Sequence, residues 1–350
     1  MRIGLVPPLW TRIPPRTYGG IELVVHLLAE ELVRRGHEVT LFGTGDSETS
    51  ARLEVVVEES LLGAMEAGGA TVYEAYANGA VAKVLGRAGD FDVLHFHLGM
   101  AWAPFASLVR TPCLFTVHTF ASYDDRWLAR NFPGVALSGI SRYQADQVTE
   151  GLGRELPVVY NGVEFGRFEP RYERGEYLAF LGRMSFDKNP LDAIRIAKRA
   201  GMRIVVAGQP QQRKEEVYFE TEIKPLIDGE QVRYVGPVNH EQKNELLRNA
   251  AALIFPVQWE EQFGLVMIEA MACGTPVLAH NLGSVGEVVT PGVTGFYAGE
   301  IEGMQDLLRG TLELDRRRVR GEADGRFSAG RMVEGYLEIY RGMANCGTGR

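Results

Sequence analysis

The amino-acid sequence predicts an α/β protein built from two doubly wound domains with a cleft between them. Three observations lead to this fold class. The chain has 350 residues, more than one compact domain usually needs. Short runs of Val, Ile and Leu alternate with longer amphipathic segments, a pattern typical of a parallel sheet covered by helices. The alternation stops near residue 164 and begins again near residue 177.

The first half of the chain supplies the elements of one domain. Apolar residues recur at helical spacing over 20–35, and Gly36 is a suitable stop for that helix. Further helices are predicted near 71–87, 101–109 and 142–151. The strands predicted in this half are 3–6, 39–43, 53–57, 93–98, 113–118, 136–141 and 158–162.

The second half repeats this pattern after a polar stretch, 164–176, which we interpret as a linker. The strands predicted here are 177–182, 203–208, 232–236, 252–256 and 276–280. The helices predicted between them are 190–201, 211–226, 240–250 and 263–274. We therefore expect one domain over 1–165, a second over 175–330, and a C-terminal helix in 331–350 that packs back on the first domain.

Composition and charge narrow the classes of function. The formal net charge of −8 provides no basic excess for nucleic-acid binding. No stretch approaches the ~20 apolar residues that span a bilayer, so we expect at most peripheral membrane contact. Three widely spaced cysteines, Cys113, Cys273 and Cys346, form no metal or disulfide pattern. They suit a reducing compartment, and we expect a cytoplasmic protein.

The segment 259–277 carries two glutamates that are eight residues apart, Glu261 and Glu269. A helix that begins near Gly264 would direct its free N–H groups and the positive end of its dipole toward a phosphate. Glu261 lies in the loop before this helix. Glu269 lies inside it, where a carboxylate can accept from the vicinal hydroxyls of a ribose. On spacing alone, the pair could equally be one loop acid and one solvated helix acid.

Two cations follow the predicted strand 177–182, namely Arg183 and Lys188. Fixed cations at the end of a strand can hold a diphosphate leaving group. Taken alone they could be ordinary surface residues, but together with the glutamate helix of the same domain they favour a binding site.

A pair of glycines, Gly19 and Gly20, precedes the first predicted helix within 17–22. Without Cβ atoms the backbone can approach a phosphate closely, although a plain turn is the alternative. The G-x-G-x-x-G fingerprint of dinucleotide sites is missing at this point.

These segments together resemble the retaining family 4 glycosyltransferases of the GT-B fold, the glycosyl transferases group 1. The resemblance covers nearly the whole chain. It rests on TYGGIE, GHEVTLF, FDVLHFH, TVH, NGV, GRMSFDKNP, YVGPV, EEQFGLVMIEAMACGTPV and VTGF. One departure is Gln262, where the family often has Pro. The GT-B fold implies two Rossmann-like domains, the first for the acceptor and the second for the nucleotide sugar.

The resemblance also implies a role for each matching residue. Gly20 would offer its N–H to the donor diphosphate, and Arg183 and Lys188 would stabilise this group as it leaves. The hydroxyls of the sugar would meet Glu261 and the backbone of Phe263 and Gly264.

The remaining implied contacts concern the nucleotide. The N–H groups of Leu265 and Val266 would meet a phosphate, and Glu269 would bind the ribose hydroxyls. The base would lie against the backbone of Val235, Gly236 and Val238.

Histidines and an acidic triplet have competing interpretations. His118 ends a predicted strand and could be structural, but its place in TVH and the resemblance favour a contact with the sugar. His95 and His97 share one face of a strand without a nearby third ligand, so we expect no metal site there. We expect His97 to line the cleft and His95 to be structural. The triplet from Asp90 to Asp92 precedes a strand, and we interpret it as a turn.

The mechanism that the resemblance implies is front-face displacement with retention, without a metal ion or another cofactor. A UDP-hexose is the first donor to consider and GDP-mannose the second. The expected acceptor is a hydroxyl of a small molecule, a glycan or a lipid-linked sugar. The alternatives are a GT-B enzyme that is not a transferase, such as an epimerase or phosphorylase, an NAD-dependent oxidoreductase, and a sensor that binds nucleotide sugars without turnover.

Overall fold

Two parallel six-stranded sheets form the centre of the protein, as a computed structural model shows for residues 1–16, 19–150 and 153–347. The chain divides into unit 1, Met1–Gly162 with Ala329–Arg350, and unit 2, Val163–Ser328. The predicted α/β fold class with two doubly wound domains is confirmed. No helix among these residues is both long and apolar enough to cross a membrane.

The sheet of unit 1 has the strand order β3-β2-β1-β4-β5-β6, and its registers are all parallel. Its central strands are buried over nearly their whole length, which explains their continuous apolar runs. The strands are β1 (Arg2–Val6), β2 (Glu38–Thr44), β3 (Arg52–Val57), β4 (Val93–Phe96), β5 (Cys113–Val117) and β6 (Ala136–Gly139).

The helices of unit 1 follow the periodic segments of the sequence. Local signals fix some of their starts, as at Ser122, whose hydroxyl accepts from the N–H of Asp125 in a capping box. The helices are α1 (Gly20–Arg34), α2 (Leu61–Glu66), α3 (Tyr73–Leu85), α4 (Tyr123–Asn131) and α5 (Arg142–Thr149). The predicted helix near 101–109 is a 3₁₀ segment, Met100–Leu108, which includes Pro104.

The strand predicted at 158–162 is wrong. Val158 forms only an isolated bridge with Gly139, where β6 ends. Beyond that point the chain turns into α5, where the hydroxyl of Ser141 accepts from the N–H of Gln144. No neighbouring strand therefore continues alongside 160–162, and the apolar run has nothing to pair with.

The sheet of unit 2 has the order β12-β11-β10-β7-β8-β9 and is also entirely parallel. Both sheets thus have the strand order 3-2-1-4-5-6 of doubly wound nucleotide-binding folds. The strands are β7 (Tyr177–Leu181), β8 (Ile204–Ala207), β9 (Val232–Gly236), β10 (Ala250–Phe255), β11 (Val277–His280) and β12 (Gly295–Ala298). Of these strands, β12 was not predicted from the sequence.

The helices of unit 2 connect these strands. The segment 211–226 is composite, because α7 continues into a π-helical turn and a 3₁₀ turn. The helices are α6 (Pro190–Arg199), α7 (Arg213–Tyr218), α8 (His240–Arg248), α9 (Leu265–Ala272), α10 (Val285–Val288), α11 (Ile301–Leu312) and α12 (Arg316–Phe327).

The chain then returns to unit 1 as α13 (Ala329–Gly347). Tyr336 and Tyr340 of this helix are fully buried, and the hydroxyl of Tyr340 bonds to His95 of β4. The polar stretch 164–176, which we interpreted as a linker, is part of unit 2. It is held there by contacts such as the N–H of Glu169 with the side chain of Asn244.

A buried arginine fixes this stretch to the sheet. Arg316 is 4% exposed, and burial lowers the pKa of its guanidinium to about 10. It donates over 2.6–2.9 Å to three carbonyl oxygens and one hydroxyl, those of Arg171, Arg248, Ala250 and Thr275. One side chain therefore satisfies acceptors that come from several separate elements.

We expect Arg316→Met to lower the free energy of unfolding by about 3–4 kcal/mol, because four acceptors would each lose about 1 kcal/mol of net hydrogen bonding. Chemical denaturation measures this change. The control is Arg309→Met, whose guanidinium is 91% exposed and pairs with Glu313 on the surface. It should change stability by less than about 0.5 kcal/mol. Equal effects of the two substitutions would contradict the structural role of Arg316.

Candidate active site

The strongest cluster of predicted site residues lies where β7 and β10 end in unit 2. These neighbouring strands mark the point at which the strand order reverses, which is where ligands bind in open α/β sheets. Arg183 and Lys188 lie on the loop that follows β7, and Glu261 lies on the loop that follows β10. The topology therefore brings residues together that are more than seventy positions apart in the sequence.

The ammonium group of Lys188 donates to the carboxylate of Glu261. The loop that carries Lys188 is fastened at the next residue, Asn189, which has φ 55° and caps α6. The amide of Asn189 also donates to the carbonyl oxygen of Pro256, which directly follows β10. The side chains of Lys188 and Glu261 are 27% and 13% exposed, so the pair is largely shielded from solvent.

Arg183 has a carboxylate partner that the sequence analysis missed. Its guanidinium donates to Oε1 of Glu215 over 2.7 Å, and the other oxygen of Glu215 accepts from the N–H of Gln211 over 2.7 Å. The Glu215 side chain is 3% exposed. Glu215 lies in the first turn of α7, which follows β8 at the same edge of the sheet. The sequence signal for Glu215 was an acidic residue near the start of a predicted helix that follows a strand.

Glu269 lies inside α9, where it is 4% exposed and its carboxylate accepts from Lys243 of α8. The alternative that Glu269 is a solvated helix acid is therefore wrong. Lys243 is a second residue that the sequence analysis missed, since nothing in the sequence of α8 distinguishes it from a surface lysine. The Arg183–Glu215, Lys188–Glu261 and Lys243–Glu269 contacts are called the three ion pairs below.

Glycines shape the loop before α9. Gly264 has φ 81° and precedes the first helical residues, Leu265 and Val266, without a side-chain cap. Gly283 has φ 67°, and a Cβ atom there would lie 2.2 Å from the carbonyl oxygen of Glu261. Only a glycine allows these two loops to run so close together. The first turn of α9 therefore presents its free backbone N–H groups at the ends of the strands, where Glu261 also lies.

Two further groups of predicted residues take defined places in unit 2. The Phe263 side chain is buried, with its ring 5.9 Å from that of Phe327, so it can offer a ligand only its backbone. Val235 and Gly236 end β9, the strand at one edge of the sheet, and Val238 follows in the loop before α8.

In unit 1 the corresponding glycines stand at the start of α1. Gly19 precedes the helix and Gly20 is its first residue, again without a side-chain cap. Thr17 and Tyr18 of the same motif lie outside the described residues. Glu22 lies in the first turn of α1, and burial raises the pKa of its carboxyl.

Three histidines lie together at β4 and β5; His95 and His97 are buried and His118 is half-buried. His118 follows β5, and its Nε2 lies 2.8 Å from Nδ1 of His97, which follows β4. His95 is fully buried, and its nitrogens contact the hydroxyls of Tyr340 at 2.7 Å and Thr116 at 2.6 Å. Burial holds the pKa of His95 and His97 well below the usual value and lowers that of His118 to about 3. All three rings are therefore neutral at physiological pH.

The acidic triplet lies at the opposite end of the strands, where β4 begins. Asp90 ends a 3₁₀ turn, and Asp92 precedes β4. The carboxylate of Asp92 accepts from the backbone N–H and the guanidinium of Arg2, with a shortest distance of 2.8 Å to each. Asp92 thus connects the starts of β1 and β4.

Comparisons with known proteins identify glycosyltransferase families that match both halves of the chain. The family model of glycosyltransferase family 4 matches residues 18–167, and that of glycosyl transferases group 1 matches residues 164–320. A glycogen synthase of Mycobacterium tuberculosis is 26% identical, over 94% of this chain and 93% of that protein. A phosphatidyl-myo-inositol mannosyltransferase of Propionibacterium freudenreichii is 29% identical, over 83% of this chain and 80% of that protein.

Solved structures give the same result for the fold. A glycosyltransferase involved in avilamycin A biosynthesis is 27% identical and has a TM-score of 0.77, with coverage of 99% of this chain and 98% of that one. The sucrose-phosphate synthase of Thermosynechococcus elongatus has a TM-score of 0.77 at 17% identity, with coverage of 99% and 100%.

The buried pair of Lys243 and Glu269 should be strongly coupled. In a double-mutant cycle with Lys243→Met and Glu269→Gln, we expect a coupling energy of about 1–3 kcal/mol in unfolding, because each single substitution leaves a buried partner without its bond.

The matched control is the exposed pair of Lys224 and Glu220, whose charged atoms are 2.6 Å apart but whose side chains are 59% and 57% exposed. The cycle with Lys224→Met and Glu220→Gln should give less than about 0.5 kcal/mol. Equal coupling in the two cycles would show that burial adds nothing to the first pair.

Proposed function

We propose a specific reaction for this chain, which belongs to the family 4 glycosyltransferases, the glycosyl transferases group 1, of the GT-B fold. The enzyme moves a hexose or an N-acetylhexosamine from a nucleoside diphosphate sugar to a hydroxyl acceptor. The anomeric configuration is retained, and no metal ion or other cofactor takes part. The observation that carries this proposal is the arrangement of Arg183, Lys188 and Glu261 around the ends of β7 and β10.

The donor diphosphate binds by replacing the carboxylates that Arg183 and Lys188 contact in the free protein. Arg183 and Lys188 each hold a carboxylate, Glu215 or Glu261, so their charges are balanced before the donor arrives. A diphosphate brings new oxygens to both cations, and the N–H groups of Leu265 and Val266 add uncharged donors at the start of α9. These fixed positive groups stabilise the charge that develops on the leaving phosphate, which is work that a metal ion performs in other enzymes.

Glu261 and Glu269 then bind the two hydroxyl-bearing parts of the donor. Glu261, together with the backbone at Phe263 and Gly264, orients the hydroxyls of the sugar. Glu269 accepts from the ribose hydroxyls. The base lies against the backbone of Val235, Gly236 and Val238, and Gly20 adds an N–H to the diphosphate.

The chemical step is a front-face displacement. The bond between the anomeric carbon and the phosphate oxygen breaks, and its electron pair stays with the phosphate. The acceptor oxygen bonds to the same face of the anomeric carbon, and its proton passes to the leaving phosphate oxygen. The protein contributes positioning and electrostatic stabilisation, and His118 donates a hydrogen bond to a sugar hydroxyl.

We further propose that this reaction takes place in the cytoplasm. Cys113 and Cys273 are free and buried, which suits a reducing compartment. The side chain of Cys346 lies outside the described residues.

The proposal is tested by a transfer assay with UDP-hexoses and GDP-mannose as donors. The names of the relatives supply the acceptors: an α-glucan, phosphatidyl-myo-inositol and D-inositol 3-phosphate. We expect the rate of transfer to be unchanged in excess EDTA. Proton NMR should show that the first product has the same anomeric configuration as the donor. Product of inverted configuration, or complete loss in EDTA with recovery on Mg²⁺ addition, would contradict the mechanism.

Arg183→Ala serves as the matched variant in this assay. It should lower turnover by on the order of 10²–10³, as removal of one electrostatic stabiliser does in other enzymes. An unchanged rate would remove Arg183 from the mechanism. Binding of nucleotide sugars without any turnover would identify a sensor instead of an enzyme.

The two glutamates should separate in binding experiments. We expect Glu269→Gln to weaken the affinity for free UDP by about tenfold, because the ribose loses a charge-assisted hydrogen bond. Glu261→Gln should leave the UDP affinity unchanged or higher, since Lys188 loses its neutralising partner, and should weaken binding of the intact UDP-sugar instead. Calorimetry with both ligands measures the difference. An equal loss of UDP affinity in both variants would contradict this division of roles.

A further inference from the structure

The contact between His97 and His118 constrains where the proton of His118 resides. The two ring nitrogens are 2.8 Å apart, a hydrogen-bond distance, so one of them carries the hydrogen and the other accepts it. Both rings are neutral, because burial keeps their pKa values far below physiological pH. Each ring therefore has one N–H and one lone pair, and the direction of the bond fixes both tautomers.

The other nitrogen of His97 decides this direction. Nε2 of His97 is buried and has no hydrogen-bond partner among the described residues. If His97 carried its hydrogen there, a buried N–H would have no acceptor. If His97 carries it on Nδ1 instead, only a lone pair is left without a partner. Orphaned buried donors are rarer in proteins than under-satisfied acceptors, which favours the second arrangement.

The neighbouring His95 cannot accept a hydrogen bond from Nε2 of His97. The ring of His95 lies 4.0 Å from that of His97, tilted by 42°. Both nitrogens of His95 are already engaged, with the hydroxyls of Tyr340 and Thr116. His95 therefore packs against His97 without offering an acceptor to its Nε2.

We propose that His97 is a positioning residue for His118. It donates its Nδ1–H to Nε2 of His118, so that His118 carries its own hydrogen on Nδ1 and presents it to a substrate hydroxyl. This second step rests on the proposed function. The lone pair of His118 is occupied by His97, so His118 is a hydrogen-bond donor and not a general base. His118 then cannot take the proton of the acceptor, in keeping with the proposed transfer of that proton to the leaving phosphate.

The direct test is nitrogen NMR of the full chain with ¹⁵N-labelled histidine. The seven histidine signals are assigned by difference, with His97→Asn and His118→Asn. We expect a protonated Nδ1 and an unprotonated Nε2 for His118, together with a protonated Nδ1 for His97. A His118 ring that is protonated on Nε2, or on both nitrogens, at neutral pH would overturn the proposal.

A pair of variants tests the effect on catalysis. His97→Asn keeps an N–H at the position of Nδ1, whereas His97→Leu fills similar space without a donor. We expect His97→Leu to move His118 to the Nε2–H tautomer and to lower kcat/KM for the nucleotide sugar by about tenfold, while the Kd for UDP stays within about twofold. His97→Asn should restore both the tautomer and most of the rate.

The outcomes separate this proposal from the proposed function. Equal kcat/KM values for the Leu and Asn variants would overturn the positioning role of His97, even if the wild-type tautomer is as expected. Absence of transfer to any acceptor in the wild-type chain would instead contradict the proposed function, and with it the substrate contact of His118. The NMR measurement of the two tautomers stands independently of that result.

Discussion

The ion pair between Lys188 and Glu261 is the contact on which the candidate donor site depends. It joins the loop after β7 to the loop after β10, the two strands between which the order of the sheet reverses. The hydrogen bond from Asn189 to Pro256 holds these loops together, and Gly283 lets the loop after β11 approach Glu261 closely. Each of the three ion pairs balances a cation with a largely buried carboxylate. An anionic ligand then competes with carboxylates already in place, which favours ligands that bring several oxygens at once.

Buried polar side chains have different kinds of partner in the two units. In unit 2 the buried carboxylates of Glu215 and Glu269 pair with cations. In unit 1 the three histidines are neutral and bond to hydroxyls or to one another. Tyr340 of α13 is one of these partners, so the last helix contributes to the core around His95. Hydrogen bonds between neutral groups keep fixed directions without the desolvation cost of charges. A defined tautomer at His118 follows from this arrangement.

Much of the fold could be predicted from the sequence, because strands buried on both faces have continuous apolar runs and helices have periodic ones. The strand ends and glycine turns located Arg183, Lys188 and Glu261. The pairing of Arg183 with Glu215 and of Lys243 with Glu269 could not be found in this way, because the sequence does not show which charged side chains meet in the folded sheet. The strand at 158–162 was wrongly predicted for a similar reason. Strand formation depends on a neighbouring strand that the local sequence does not reveal.

The central claim is that Arg183 and Lys188 bind the donor diphosphate by exchanging their carboxylate partners. A crystal structure of the protein with UDP tests it most directly. We expect the diphosphate oxygens within hydrogen-bond distance of both cations and of the N–H groups that begin α9, with the ribose hydroxyls on Glu269. A nucleotide bound elsewhere, with the Lys188–Glu261 and Arg183–Glu215 pairs intact and without contact to the diphosphate, would contradict it.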